Sequence, residues 1–297
     1  MPLMNGTVSF VELAVPIDTS FDESRVRSRA FIDIDDTYDE VSIGWVNPTD
    51  MFSTAIPFLV LGDYVVLSMR IDERKVPGAL LKKLCAKEER RIRIERQVPK
   101  LSKGMRAEIK SRIATDLIRK AAPVTTTVDV VWSVNAGRVW IFSTSSSVTE
   151  IFLDLFDQTF KVIPEALPLE DTADFLAWCG WKSEFINLDG RMTIGEGPEQ
   201  QVVCAEGPEA FKALALGKKI GQAQVIVENY GKGTLTSSLL FKGFKLPTVE
   251  AEGEEGLIME RINLVDALIE AVRSEYDRYV KDDQSGLANW ILEQEGE

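Results

Sequence analysis

The sequence contains no histidine among its 297 residues. This absence excludes the Ser-His and Cys-His nucleophile pairs, every metal site with an imidazole ligand, and any imidazole general base. The three cysteines, Cys85, Cys179 and Cys204, lie far apart and form no Cys-x-x-Cys pair. They therefore predict neither a zinc site nor a disulfide framework, and an odd number of cysteines fits a reducing compartment.

Long apolar runs are also missing, because none approaches the ~20 residues that a membrane-spanning helix needs. The first residues lack the basic segment and apolar core of a signal peptide. We therefore expect a cytoplasmic protein with no membrane contact. The sequence also has no GxxxxGK[ST] loop, no GxGxxG after a strand and no GxSxG turn. These absences give no support for a bound nucleotide or a serine nucleophile, and we expect no cofactor.

The charge of the chain is unevenly distributed. The formal net charge is −13, with 34 Lys/Arg and 47 Asp/Glu, which taken alone argues against nucleic acid. Residues 70–120, however, hold 17 Lys/Arg and 7 Asp/Glu, a net of +10, and the other 246 residues hold 17 and 40, a net of −23. Such asymmetry indicates contact with a polyanion. A solvated helical segment is the simpler alternative, since Lys and Arg are also good helix formers.

The basic segment has the periodicity of two helices, one over 77–97 and one over 103–121. Pro77-Gly78 starts the first helix, Ser102 caps the second, and Pro99 and Pro123 end them. Each helix has an apolar seam and a basic row at three- and four-residue steps. The rows are Lys83, Lys87 and Arg90 on the first helix, and Lys103, Arg106 and Lys110 on the second. Such rows can follow a phosphate backbone without reading bases.

Outside this segment, helices and strands come in blocks, without βαβ alternation. The sequence therefore predicts an α+β fold with antiparallel sheets and long amphipathic helices. Predicted strands cover 6–15, 41–46, 56–61, 64–71, 125–134, 138–143 and parts of 190–204 and 220–243. Predicted helices cover 20–29, 148–160, 171–178, 208–215 and 257–280, and a frayed acidic tail follows over 281–297 apart from Trp290. The predicted units are 1–76, 77–123 (a basic arm), 124–180, 181–256 (a β-rich domain) and 257–297.

Two carboxylate groupings and the tryptophans are the remaining candidates for function. Asp33 and Asp35 would share one face of a strand, and with Asp36 they could hold Mg²⁺. An exposed strand end that runs into a turn is the simpler interpretation of these three residues. Glu196, between Gly195 and Gly197, is a weaker carboxylate candidate, and a solvated turn explains it more simply. The tryptophans Trp45, Trp132, Trp140, Trp178 and Trp181 could stack on single-stranded bases. Core packing is favoured for them because none is interleaved with the basic rows.

The order of several segments resembles one family. The first segments are a strand with Gly44-Trp45-Val46 and a following Pro48, then a short strand pair over 64–70, and then Val76-Pro77. Two charged helices follow, and they contain Leu101-Ser102-Lys103 and Ile109-Lys110. The last segments are a hairpin that starts at Val131-Trp132 and turns at Asn135-Ala136-Gly137, and the stretches Val162-Ile163-Pro164 and Leu167-Pro168-Leu169. This series resembles RdgC, a family of bacterial recombination-associated proteins, over about 40–180. The resemblance continues more loosely through Gly217-Lys218-Lys219, the strand over 242–245 and the terminal helix.

The resemblance implies a ring-shaped homodimer around a positively charged hole, which binds duplex DNA without sequence preference and limits RecA loading or activity. The older label of the family, exonuclease, has no catalytic motif here to support it. A basic lining and an acidic exterior fit the +10 and −23 division of charge. The chain departs from the family before Val41, and near Gln200-Gln201-Val202 it lacks a basic residue. It also lacks an aromatic residue in Lys120-Ala121-Ala122-Pro123-Val124, where the family has a dimer contact.

These observations leave three hypotheses. The first is a non-enzymatic, nucleoid-associated DNA-binding ring that modulates RecA-dependent recombination. Its predicted phosphate contacts are Lys83, Lys87, Arg90, Lys103, Arg106 and Lys110, with Arg91, Arg119, Lys120, Lys218 and Lys219 as second-rank candidates. The second is a metal-dependent nuclease using Asp33, Asp35 and Asp36. The third is a scaffold whose basic helices bind an acidic protein.

Overall fold

The computed structural model describes residues 3, 6–167, 172, 174–195, 200–205 and 207–295. Within these residues it has helices and one large, predominantly antiparallel sheet, which confirms the predicted α+β class. Across the same ranges, none of the helices combines the length and the apolar character that a membrane span requires.

The strands and helices follow the sequence pattern closely. The strands are β1 Val8–Ala14, β2 Val41–Val46, β3 Leu59–Leu61, β4 Tyr64–Arg74, β5 Pro123–Ser133, β6 Arg138–Ile141, β7 Glu165–Ala166, β8 Ile186–Ile194, β9 Gln201–Cys204, β10 Ile220–Val227, β11 Gly231–Thr236 and β12 Phe241–Lys245. The helices are α1 Glu23–Ser28, α2 Gly78–Glu95, α3 Lys103–Ile118, α4 Ser146–Phe160, α5 Phe175–Lys182, α6 Pro208–Ala215, α7 Gly253–Lys281 and α8 Leu287–Glu295. A 3-10 turn over Gln284–Gly286 joins the last two helices.

The sheet is continuous because β1 pairs with two different parts of the chain. Its order is β2-β4-β5-β6-β1-β12-β11-β10-β8-β9, with β3 on β4 and β7 on β1. Val8 and Phe10 of β1 lie opposite β12, whereas Val11–Ala14 lie opposite β6. The partner changes between Phe10 and Val11, just after a shift in the register of β1 and β12 between Val8 and Phe10. One strand therefore joins the half of the sheet that carries the basic helices to the half predicted as β-rich.

Two apolar cores lie on the sheet. In the first, α4 packs its buried side against β2, β4 and β5, with Trp45, Trp132 and Phe156 fully buried. Trp132 makes edge-to-face contacts with Phe156 and Phe160 at centroid distances of 5.4 and 5.0 Å. The Trp45 indole donates a hydrogen bond to Thr159 of α4 over 2.9 Å. Edge-to-face pairs are typical of well-packed cores. The indole N–H of Trp45 is satisfied, whereas that of Trp132 is buried without a partner among the described residues. Both tryptophans therefore act in folding.

The second core lies under the long helix α7. Its buried residues recur at three- and four-residue intervals, which is the stripe expected of an amphipathic helix. The stripe contains Ile258, Ile262, Val265, Leu268, Ile269, Val272, Tyr276 and Tyr279. Trp178 of α5 packs edge-on against Tyr279, and its indole donates to Asp282 over 2.8 Å. Trp140 is also buried and donates to Glu12 of β1 over 3.1 Å.

The structure overturns three local predictions. Residues 31–34 do not form a strand, because the chain there leaves α1 and bends into a turn at 35–37. The acidic tail is not frayed over 287–295, where α8 packs on α6 with Leu287 and Ile291 buried. The short helix predicted over 171–178 begins only at Phe175. Glu196, the Pro168-Leu169 pair of the family pattern and the predicted helix start at Asp171 lie outside the described residues.

Candidate nucleic-acid interface

The two basic helices connect neighbouring antiparallel strands. Arg74, the last residue of β4, lies opposite Pro123, the first residue of β5. We call the intervening residues 75–122 the arm; they hold 15 Lys/Arg and 5 Asp/Glu, a net of +10. Among described elements, α2 and α3 make their main contacts with each other, and α2 has no buried residue. The arm therefore exposes most of its charge to solvent.

Local sequence signals explain the two helices of the arm. Pro77 precedes α2 with φ −60°, the value at which its ring holds the backbone. The Ser102 hydroxyl accepts a hydrogen bond from the backbone N–H of Met105 over 3.2 Å, which caps α3. Gln97 has a left-handed φ of 53°, so the chain turns sharply after α2. These signals set the ends of both helices within a few residues of the predicted ones.

An ion pair joins the two helices of the arm, and α3 buries one side chain. Ile109 of α3 is 5% exposed, and Arg112 of α3 contacts the Glu88 carboxylate of α2 at 2.6 Å. Arg91 also binds Glu88, at 2.8 Å. The hydrogen bonds from Arg91, with the nearby charge of Arg112, lower the pKa of Glu88 to about 2. Glu88 is therefore ionised at neutral pH and offsets part of the positive charge of both arginines.

A groove of about 830 Å³ runs between the helices, and we call it the arm groove. Its lining residues are Gly78, Leu81, Lys82, Cys85, Ala86 and Glu89 of α2, and Lys103, Arg106, Ala107 and Lys110 of α3. Small and apolar residues form much of the lining, four cations surround it, and Glu89 is its one carboxylate. In the described part of the chain, none of the four cations forms an ion pair. The groove is thus a strongly positive surface.

The structure separates the two predicted basic rows. Lys103, Arg106 and Lys110 all line the arm groove. Lys83, Lys87 and Arg90 are exposed but do not line it, because they lie on the side of α2 that faces away from α3. The assignment of both rows to phosphate contact stays a prediction, and the geometry shows that the rows occupy different surfaces.

The second-rank candidates lie in three other places. Arg91 is held by Glu88 and Glu95, so its charge is shared with two carboxylates. Arg119 and Lys120 are exposed at the end of α3, where the arm returns to the sheet. Lys218 lines a cavity beside α8. Lys219 is paired with Asp174 at 2.5 Å. Lys218 and Lys219 are therefore remote from the arm in the chain, and they lie near α8 and the start of α5.

Sequence reasoning missed Lys82, which lines the arm groove together with the row of α3. The helical pattern favours its immediate neighbour Lys83, which lies opposite the seam of Leu81 and Cys85. The same helical spacing places Lys82 at the edge of that seam, next to the second helix. The helical spacing therefore indicates where Lys82 lies on α2, but it does not show that the packing of α2 on α3 leaves a groove open beside Lys82.

The acidic loop over 31–40 is built differently from the predicted carboxylate site. The Asp33 carboxylate accepts a hydrogen bond from the backbone N–H of Asp35 over 2.7 Å, which forms a local turn. The same carboxylate lies 3.8 Å from the Arg70 guanidinium. Asp33 and Asp35 therefore do not share a strand face. Across the described residues, no three His, Cys, Asp or Glu side chains are placed to hold one metal ion.

The sequence of the chain matches one family model. A sequence model of the family described as "Putative exonuclease, RdgC" matches residues 14–184, which is more than half of the chain. The matched segment includes the whole arm and the strands on either side of it. A search among curated proteins found no match to the chain.

Proposed function

The chain belongs to the RdgC family of recombination-associated proteins, and from this premise we propose that it binds duplex DNA through the arm without sequence preference. The observation that carries the proposal is the arm itself, with a net charge of +10 on two exposed helices. Proteins that neutralise phosphates with Lys and Arg gain affinity by releasing counterions from the DNA. The acidic remainder of the chain favours contact at the arm over contact elsewhere.

The residue types of the arm support binding without sequence preference. Lys and Arg dominate its exposed surface, and no Trp, Tyr or Phe lies within 75–122. Long cationic side chains on a helix reach phosphates readily, and phosphate contacts position a protein without reading sequence. The arm also has no aromatic side chain on which unpaired bases could stack. These features favour duplex DNA over single strands.

We further propose that two copies form a ring around the duplex, as the family resemblance implies, and that the protein associates with the nucleoid and limits RecA activity there. A ring needs a basic inner surface and tolerates an acidic exterior, which the charge division of the chain provides. Val124, just beyond the arm, is 54% exposed and offers apolar surface near the dimer contact implied by the family. Sedimentation with and without a DNA duplex tests the dimer. RecA-promoted strand exchange with the protein present tests the antagonism.

The central experiment is a binding titration against duplexes of several sequences at a series of salt concentrations. If about 6–10 phosphates are contacted, affinity falls by roughly three to five decades between about 50 and 200 mM salt. The affinities for different sequences should agree closely at each salt concentration. A titration that is flat with salt would remove the proposal.

Cleavage of DNA is the second candidate function, favoured by the description of the family that matches the chain. The sequence hypothesis assigns it to Asp33, Asp35 and Asp36, although these carboxylates are not placed in the described structure to hold one metal ion together. Labelled duplex should be incubated with the protein and Mg²⁺ or Mn²⁺. Cleavage that the Asp35→Asn variant abolishes would establish the nuclease. A mobility shift with intact DNA supports our proposal of binding without cleavage.

The third hypothesis, a scaffold for an acidic protein, makes a separate prediction. The same exposed cations would serve it, but no duplex would shift at physiological salt. The titration above therefore distinguishes the scaffold from the DNA-binding ring.

A further inference from the structure

Adjacent lysines of α2 lie on different surfaces of the arm. Lys82 lines the arm groove beside the cations of α3, and Lys83 lies outside it with Lys87 and Arg90. We call this second surface the outer face of α2. A straight duplex lying along one side of the arm meets one of these surfaces far more closely than the other.

We propose that the backbone of duplex DNA lies on the arm groove, with Lys82, Lys103, Arg106 and Lys110 as its phosphate contacts, and that the outer face of α2 does not bind it. The inference rests on the proposed function, since it names the surface through which the arm engages DNA. It adds Lys82 to the contact residues and removes Lys83, Lys87 and Arg90 from them.

Charge complementarity is the first argument. The groove gathers four cations from two helices, and none of them is paired with a carboxylate in the described residues. Glu89 is the one acidic side chain of the lining. The small and apolar residues between the cations, such as Ala86 and Ala107, add no charge that would repel phosphate. Cations converging on a concave surface produce a stronger local potential than a single row on a convex helix.

The spacing along α3 fits a strand of DNA. Lys103, Arg106 and Lys110 recur at three and four residues, and each residue advances a helix by about 1.5 Å. The row therefore covers about 10 Å, whereas one strand of B-DNA advances about 3.4 Å per phosphate along its axis. Three cations can thus reach neighbouring phosphates of one strand, and Lys82 reaches the same groove from α2.

The outer face of α2 has a different character. Leu80 and Ile94 lie three to four residues from its cations, on the same side of the helix, and are 41% and 68% exposed. A phosphate backbone would cover these apolar side chains without providing apolar surface in return. The outer face is therefore the poorer match to DNA, although its net charge is similar.

The first experiment compares Lys82→Gln with Lys83→Gln. Both side chains are exposed, both variants lose one positive charge, and glutamine is a good helix former, so overall charge and folding are matched. We expect Lys82→Gln to weaken duplex binding about five- to tenfold near 0.1 M salt and to lower the salt slope by about one. For Lys83→Gln, which removes the same charge from the arm outside the groove, we expect a loss of less than about twofold and a smaller change in the salt slope. Equal losses in the two variants, or a larger loss in Lys83→Gln, would overturn the proposal.

The native cysteines provide the second experiment. Cys85 lies in the arm groove and is partly accessible, whereas Cys204 of β9 is exposed and far from the arm in the chain. Alkylation of each thiol by a maleimide can be followed by peptide mass spectrometry with and without a saturating duplex. We expect the duplex to slow alkylation of Cys85 and to leave Cys204 unchanged. Unaltered alkylation of Cys85 at saturating duplex would contradict the proposal.

The two experiments separate the possible failures. If the unaltered protein does not bind duplex at low salt, the proposed function fails and the groove assignment fails with it. If the unaltered protein binds duplex, but Lys83→Gln binds it more weakly than Lys82→Gln does, the proposed function stands and the groove assignment is wrong. If Cys85 becomes protected as protein concentration rises without DNA, a second copy occupies the groove and the assignment is also wrong.

Discussion

The guanidinium group of Arg74 donates a hydrogen bond to the carbonyl oxygen of Ala121, which joins the end of β4 to the returning end of the arm. The same group donates to four carbonyl oxygens of the acidic loop, namely those of Ile34, Asp35, Thr37 and Asp39. Arg74 is 8% exposed. One buried side chain therefore fixes both the base of the arm and the loop beside it.

The first prediction concerns Arg74→Lys. Lysine preserves the charge but presents a single compact donor group, so it cannot reach all five carbonyl oxygens. The hydrogen bond to the Ile34 carbonyl is the buried one of the five, and a buried acceptor that loses its partner costs about 1–3 kcal/mol, so we expect a lower free energy of unfolding in urea. We also expect faster amide hydrogen exchange in 75–122 and weaker duplex binding at unchanged net charge. Binding and exchange equal to those of the unaltered protein would show that Arg74 does not hold the arm.

The second prediction concerns the buried ion pair of β4, in which the Arg70 guanidinium contacts the Asp72 carboxylate at 2.6 Å. Asp72→Asn keeps the size of the side chain but leaves the buried Arg70 charge with only the more distant and exposed carboxylate of Asp33, at 3.8 Å. We expect the free energy of unfolding to fall by about 3–5 kcal/mol. Glu73→Gln is the control, since the ion pair between Glu73 and Lys75 is solvent-exposed and should contribute less than about 1 kcal/mol. Similar losses in both variants would mean that burial of the pair is not the cause.

Much of this fold could be predicted because local signals agree with tertiary packing. The strand predicted over 41–46 and the helix predicted over 208–215 match β2 and α6 with their observed ends. The stripe of α7 was also readable, since it continues over many turns. In α6 and α7 the side that the sequence makes apolar is the side that the fold buries, whereas β2 leaves Val41 and Ile43 exposed.

The failures arise where partners distant in sequence decide the outcome. In 287–295 Leu287, Trp290 and Ile291 have helical spacing, but the segment is short and lies in an acidic tail, and its fold depends on the packing surface that α6 provides. The alternation of apolar and acidic residues in 31–36 is typical of a strand. In the structure, however, the Asp33 carboxylate accepts a hydrogen bond from the Asp35 backbone N–H, and Arg74 donates to the Ile34 carbonyl. For the arm, the sequence located both basic rows, whereas the position of the groove depends on how α2 packs on α3.

The third prediction concerns pH. Burial raises the pKa of Asp129, despite the hydrogen bonds it accepts from the Leu3 backbone N–H and the Ser68 hydroxyl. Between the ordinary pKa near 3.8 and the raised one, the folded protein binds more protons than the unfolded chain, so the contribution of Asp129 to stability falls as pH rises. Above the raised pKa this contribution is constant.

Asp129→Asn removes this titration and keeps the shape of the side chain. The free energy of unfolding of the variant, relative to that of the unaltered protein, should increase as pH rises from about 4 through the raised pKa and then level off. Urea unfolding at a series of pH values measures the difference. A difference that does not change with pH would show that Asp129 is not the group responsible.

The fourth prediction tests the packing of α8. Ile291 is 9% exposed, whereas its neighbour Leu292 is 55% exposed. Removing a buried aliphatic side chain costs about 2–5 kcal/mol. Ile291→Ala should therefore lower the free energy of local opening of α8, and the loss cannot exceed that free energy in the unaltered protein. Leu292→Ala should change it by less than about 0.5 kcal/mol, because an exposed side chain loses little contact. Amide hydrogen exchange over 287–295 compares the two variants, and equal protection in both would mean that α8 is not held by Ile291.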